Sequence, residues 1–139
     1  YGKADDYNPR DAVKYDWYST LDGIMEKDDS TIYDYDVPSK LKELWLNKDF
    51  GRYGENGIMK VCFTGSNHTT GGNSGSPVLN GNGELIGINF DRNWEGTMSD
   101  IMYDPSLCRN ISLDIRYVLF IIDKFAGAGY LLKEMNIVQ

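Results

Sequence analysis

The chain has 139 residues, of which 41% are hydrophobic and 25% charged, with a formal net charge of −7 and an isoelectric point near 4.6. That length suits one domain, and the charged fraction is average for folded soluble proteins. The acidic balance argues against a nucleic-acid partner, whose phosphates need a basic face. No apolar run approaches the roughly 20 residues that span a bilayer. The longest, residues 118–122, is closed by Asp123 and Lys124.

Residues 1–36 are rich in Tyr and Asp. Within them, residues 12–27 mix Tyr15, Trp17, Tyr18, Leu21, Ile24 and Met25 with polar residues, which predicts extended structure with turns. Val37-Pro38-Ser39 opens a short helix, because Pro suits a first turn, and Leu41, Leu44 and Trp45 fall on one face of it. Residues 50–56 read as a loop and 58–63 as a strand. Val78-Leu79 and residues 84–90 flank Asn80-Gly81-Asn82-Gly83, a hairpin signal. Near the C-terminus Ile115, Val118, Leu119 and Ile122 repeat at helical spacing, with Ser112 as N-cap and Gly127 and Gly129 closing the helix. A shorter helix follows through Leu131, Leu132 and Met135. The sum is a mostly β fold with a C-terminal helix. Cys62 and Cys108 allow either one disulfide or two free thiols.

Residues 64–77 read TGSNHTTGGNSGSP. A serine hydroxyl becomes a nucleophile only when a base takes its proton and donors stabilise the oxyanion. Gly72-Asn73-Ser74-Gly75 suits the second need. Glycines on both sides of the serine let the backbone turn sharply, so that successive N–H groups converge on one concavity. The N–H groups of Gly72 and Ser74, two positions apart, are the natural oxyanion donors. Alone, such a motif is as often a Gly/Ser-rich surface turn. The hairpin that follows is the context that assigns Ser74 as nucleophile and leaves Ser76 passive.

From this loop onward the chain resembles the bacterial dipeptidyl-peptidase family that includes dipeptidyl-peptidases 7 and 11. The carrying strings are TTGGNSGSPVLNGNGELIGINFDRNWEG and ISLDIRYVLFIIDKFAGAGYLLKEM. Upstream, YNPRDAV, TLDGIMEK and residues 40–57 also resemble this family, so the likeness covers nearly the whole chain. It implies a serine exopeptidase of chymotrypsin-like double-barrel fold with a large inserted helical domain, releasing dipeptides from free N-termini. Matched by position, Ser74 is the nucleophile, Gly72 and Ser74 the oxyanion donors, and Asp91 the carboxylate that receives the substrate's α-amino group. Arg92 falls where the primary specificity pocket is tuned. Members preferring hydrophobic residues resemble one another in having Gly there, and the Asp/Glu-specific group has Arg. The chemistry suits that role, since a carboxylate entering a pocket must lose water and Arg offers a permanent planar fork to receive it; apart from the resemblance, Asp91-Arg92 reads as a solvated pair on a strand end.

The family's base and its orienting acid lie far upstream of the nucleophile, and they have no matching positions among these residues. The only histidine, His68, is expected to be a loop or pocket-wall residue. The chain is therefore expected to be a C-terminal fragment of the peptidase domain. It would hold the second barrel with the nucleophile loop 64–77 and C-terminal helices over about 112–135. The first barrel and the inserted domain would lie outside it, and the fragment alone would be inactive. The resemblance implies no metal or cofactor, peptide partners with a free N-terminus, and a bacterial parent in the periplasm or at the cell surface; it leaves a homodimeric parent open. Two alternatives stand beside it: a complete glutamyl-type endopeptidase, and a non-catalytic binding module that keeps a peptidase loop.

Overall fold

A computed structural model describes residues 1–138. They form two compact units, one of residues 1–19 with 62–115, the other of residues 20–61 with the chain from 116 onward.

In the first unit, β1 (Tyr7–Arg10) and β2 (Val13–Tyr15) make a hairpin, with Tyr7 and Tyr15 paired and their rings edge-to-face at 5.6 Å. A five-stranded sheet holds β3 (Tyr18–Thr20), β4 (Lys60–Gly65), β5 (Pro77–Leu79), β6 (Leu85–Arg92) and β7 (Asn110–Asp114). Their order is β3-β4-β7-β6-β5. The last strand in sequence thus lies in the middle, antiparallel to both β4 and β6. Among the described residues the sheet is open, with β3 and β5 as edges, and no closed barrel forms. The fold is mostly β with short helices, as the sequence implies.

The β5–β6 hairpin follows its Asn-Gly signal, with Asn80 Oδ1 accepting from the N–H groups of Asn82 and Glu84 at 2.9 and 3.0 Å. Strand β4 begins two residues later than expected. Ser112 is not an N-cap. It is fully buried in β7, where its hydroxyl accepts from Asn110 Nδ2 at 3.1 Å. Strand β7 buries Asn110, Ser112 and Asp114 and leaves Ile111 and Leu113 only half-buried, the reverse of an ordinary sheet face. Asn110 Nδ2 finds Asn89 Oδ1 and Ser112 Oγ there, while Asn110 Oδ1 has no hydrogen-bond partner among the described residues. Cys62 and Cys108 are both free thiols, and burial raises the Cys62 pKa.

In the second unit, residues 21–25, expected to be extended, form helix α1 (Leu21–Met25), which buries Leu21. Helix α2 (Ser39–Leu46) starts behind Pro38 as expected and buries Leu41. The stretch read as a loop contains a 3₁₀ turn, Gly51–Tyr53, in which Tyr53 is buried and donates to Asp123 Oδ2 at 2.8 Å. Helix α3 (Ile115–Phe120) runs into a π-helical turn, Ile121–Phe125. Phe120 is completely buried, edge-to-face with Phe50 at 5.9 Å. A final 3₁₀ segment, Gly129–Glu134, ends before Met135.

Candidate active site

The loop between β4 and β5 is held by its own backbone and by a ladder of asparagines. Gly72 and Gly75 have φ of +100° and +85°, a region that L side chains rarely adopt, and this gives the sharp turn on either side of Ser74. Thr70 N–H donates to Asn73 Oδ1 at 2.9 Å, and Ser76 N–H to the Asn73 carbonyl at 3.0 Å. The loop is then stitched to β6, with Gly75 N–H on the Asn89 carbonyl at 2.7 Å and Asn89 N–H on the Ser76 carbonyl at 2.9 Å. The Asn89 side chain adds a third tie, donating to the Asn73 carbonyl at 3.0 Å while accepting from Asn110 Nδ2 at 2.9 Å. Asn89, Asn110 and Ser112 are all nearly inaccessible to water. The ladder therefore carries the geometry of the sheet's central strand directly to the residue before Ser74.

Ser74 itself is exposed, and its Oγ donates to the Phe90 carbonyl at 3.2 Å. Neither its N–H nor that of Gly72 finds an acceptor among the described residues. Two unspent donors flanking an exposed hydroxyl are what an oxyanion site requires. No imidazole reaches Ser74 Oγ among the described residues. His68 instead lines a small cavity with Arg92 and Ser99, its ring 5.0 Å from that of Tyr103. The cavity has room for about one water, at about 10 Å³.

Strand β6 carries a bulge where it ends. Asn89 faces Ser112 and Asp91 faces Ile111, so Phe90 is the extra residue. Bulges re-aim the side chains that follow them. Asp91 is exposed, and one of its oxygens accepts the Arg92 N–H at 2.8 Å. The Arg92 guanidinium is held as a fork. Nη1 and Nη2 donate to the two oxygens of Asp100 at 2.9 and 2.6 Å, and Nη1 also donates to Ser99 Oγ at 2.7 Å. The hydrogen bond from Arg92, opposed by desolvation, lowers the Asp100 pKa. The pair's contribution to stability is present above the ordinary carboxylate pKa and is lost only as pH falls through the depressed one.

Ser74 Oγ thus meets the end of the strand that carries Phe90, Asp91 and Arg92. Sequence reasoning missed Ser99 and Asp100, which hold Arg92, and Asn89 and Asn110, which hold the loop. The run Asn110-Ile111-Ser112-Leu113-Asp114 did carry a signal, because its strict alternation places three polar residues on one face.

The ladder makes a prediction. In the complete enzyme, Asn89→Ala would leave the Asn73 carbonyl and Asn110 Nδ2 without this partner while keeping the backbone ties to Gly75 and Ser76. Displacement of a reacting group by about 1 Å costs about 100-fold. We expect kcat to fall by roughly 10- to 100-fold with KM little changed, as read by steady-state kinetics. A wild-type kcat would show that the backbone alone positions Ser74.

An exposed serine between two positive-φ glycines, with free flanking donors and a bulged strand beside it, has the geometry that a serine-hydrolase nucleophile loop requires. Residues 1–137 fit the family Peptidase S46, and the chain belongs to that family. It is 61% identical over 139 residues to an Asp/Glu-specific dipeptidyl-peptidase of Flavobacterium psychrophilum, covering all of this chain and 20% of that protein. It is 58% identical over 140 residues to a dipeptidyl-peptidase 7 of Phocaeicola vulgatus, covering all of this chain and 19% of that one. Among solved structures, Porphyromonas endodontalis DPP11 in complex with the dipeptide Arg-Glu superposes with a TM-score of 0.93 at 56% identity. That match covers 96% of this chain and 19% of the other. The chain therefore spans about a fifth of the length of the relatives it matches.

Proposed function

We propose that this chain is the nucleophile-bearing part of a serine dipeptidyl peptidase that removes N-terminal dipeptides ending in Asp or Glu. The observation that carries the reading is the bulged end of β6, where the strand that accepts Ser74 Oγ presents Asp91 and Arg92 in succession. The open sheet then serves as the second-barrel portion of a double-barrel peptidase domain. The remaining strands, the inserted helical domain and the catalytic base with its orienting acid come from segments outside these 139 residues.

In this reading Ser74 Oγ, relieved of its proton by that base, attacks the carbonyl of the second residue of the substrate. The N–H groups of Gly72 and Ser74 receive the developing oxyanion. The amine of the peptide beyond the cleaved bond leaves, and water then releases the dipeptide from the acyl-enzyme. Asp91 receives the substrate's terminal ammonium, which fixes the distance to the cleaved bond at two residues. Arg92 receives the acidic side chain. His68, lining the cavity beside Arg92, is a wall residue and not the base.

The test is kcat/KM of the complete protein on matched peptides, with and without a free N-terminus. Asp91→Ala should weaken free-amine substrates by about 2–5 kcal/mol, the range for truncating one side of a shielded charge pair. An N-acetylated peptide already lacks the ammonium and should lose much less. Equal losses for both would remove Asp91 from this role.

A further inference from the structure

Arg92 meets the proposed pocket already paired. Three of its hydrogen bonds are made: Nη1 and Nη2 to the two oxygens of Asp100, and Nη1 to the buried Ser99 hydroxyl. Five N–H donors radiate from a guanidinium. The two left without an acceptor among the described residues are Nε–H and the second Nη2–H, which together form the group's other bidentate edge. Asp100 therefore does not close the fork to a carboxylate. It takes the Nη1–Nη2 edge and leaves the adjacent Nε–Nη2 edge open.

Charge is a separate matter from donors. A guanidinium facing one carboxylate is locally neutral, and an acidic side chain docking on the open edge brings the group to one excess negative charge. An apolar side chain in the same place leaves Arg92 with Asp100 still as its partner, so it does not strand a bare cation. Both effects act in one direction, weakening the preference for acid and easing the entry of apolar residues. Ser99 Oγ and the backbone of β6 hold Arg92 in place independently of the Asp100 charge.

We infer that Asp100 is a specificity-determining counter-carboxylate, which sets how strongly the Arg92 pocket prefers an acidic over an apolar side chain. This rests on the assignment of Arg92 to the primary pocket. Its prediction runs opposite to the usual expectation for the partner of a binding arginine. Removing the Asp100 charge should sharpen acid selectivity, not blunt it.

The experiment measures kcat/KM of the complete enzyme for matched dipeptidyl substrates ending in Asp, Glu, Leu and Met at the cleaved position. Asp100→Asn keeps the size and one acceptor oxygen, and should raise the Asp/Leu ratio about three- to tenfold, mainly through a lower KM for acidic substrates. Asp100→Ala should move the ratio the same way, and Asp100→Glu, which keeps the charge, should leave it near wild type. A fall in the ratio for Asp100→Asn and Asp100→Ala would overturn the inference and make Asp100 an orienting support for Arg92. An unchanged ratio in both would also overturn it. Arg92→Gly, run in parallel, separates the two levels. If it leaves the ratio unchanged, the pocket assignment has failed; if it collapses the ratio while the Asp100 variants do not raise it, only the counter-carboxylate has failed.

Discussion

Ser74→Ala in the complete enzyme is expected to lower kcat by about four orders of magnitude or more, with KM for dipeptidyl substrates close to wild type. The Ser74 hydroxyl is the one set beside two free donors, its own N–H and that of Gly72, whereas Ser76 is tied through its backbone to Asn73 and Asn89. The substitution removes one exposed oxygen and one hydrogen bond to the Phe90 carbonyl, leaving the asparagine ladder and both flanking glycines intact. The loop and its oxyanion donors should therefore survive, and substrate binding with them. Labelling by a fluorophosphonate gives the second readout: the wild-type enzyme should react at one residue and the Ser74→Ala variant not at all. Full turnover in the variant would move the nucleophile elsewhere and remove the peptidase reading of the loop.

Arg92→Gly is expected to cost about 2 kcal/mol or more in kcat/KM on substrates ending in Asp or Glu, a loss of about 30-fold. Two effects add. The carboxylate loses the guanidinium that receives it. Asp100, relieved of Arg92, also keeps its own negative charge at the pocket edge. Hydrophobic substrates should gain, because the pocket becomes larger. That gain should be smaller than for an unpaired buried arginine, since Asp100 already compensates the guanidinium. Arg92→Lys should recover only part of the acidic activity, because a point charge cannot span two carboxylates as a planar fork does. The measurement is the ratio of kcat/KM for Asp, Glu, Leu and Met at the cleaved position. An unchanged ratio would make Arg92 a surface residue paired with Asp100 for solubility alone.

The elements that were legible in the sequence are those fixed by local chemistry. The Asn80-Gly81-Asn82-Gly83 turn closes the β5–β6 hairpin, and the apolar repeat at Ile115, Val118 and Leu119 forms a helix. Pro38 opens α2, and the glycines around Ser74 take the φ values that a sharp turn demands. What was not legible depends on distant partners. Ser112 has the chemistry of a helix cap, and it is a strand residue because it pairs with Phe63 of β4 on one side and Asn89 of β6 on the other. Leu21 follows an aromatic, strand-like run, yet its N–H caps onto the Met59 carbonyl at 2.9 Å, and a helix begins there. The Arg92–Asp100 fork joins residues eight apart through a 3₁₀ segment, Trp94–Asp100, whose register no spacing rule predicts. The candidate nucleophile could be found because glycine and serine carry their meaning within four residues. The groups that hold it in place could not, because their meaning is set by the sheet.

The position of β7 has a further consequence for the order of events during synthesis. Strands β4 and β6 are not hydrogen-bonded to each other; each pairs with β7 between them. When the ribosome has made residues 60–92, the serine loop and strands β4, β5 and β6 exist, but the strand that joins β4 to β6 does not. The loop's asparagine rung at residue 110 is also still to come. A nascent chain halted before residue 110 therefore holds the loop's ties to β6 but no pairing that joins β6 to β4, and pairings this distant in sequence form slowly once they become possible. The frame behind Ser74 is therefore complete only once β7 has paired with both strands and Asn110 has reached Asn89.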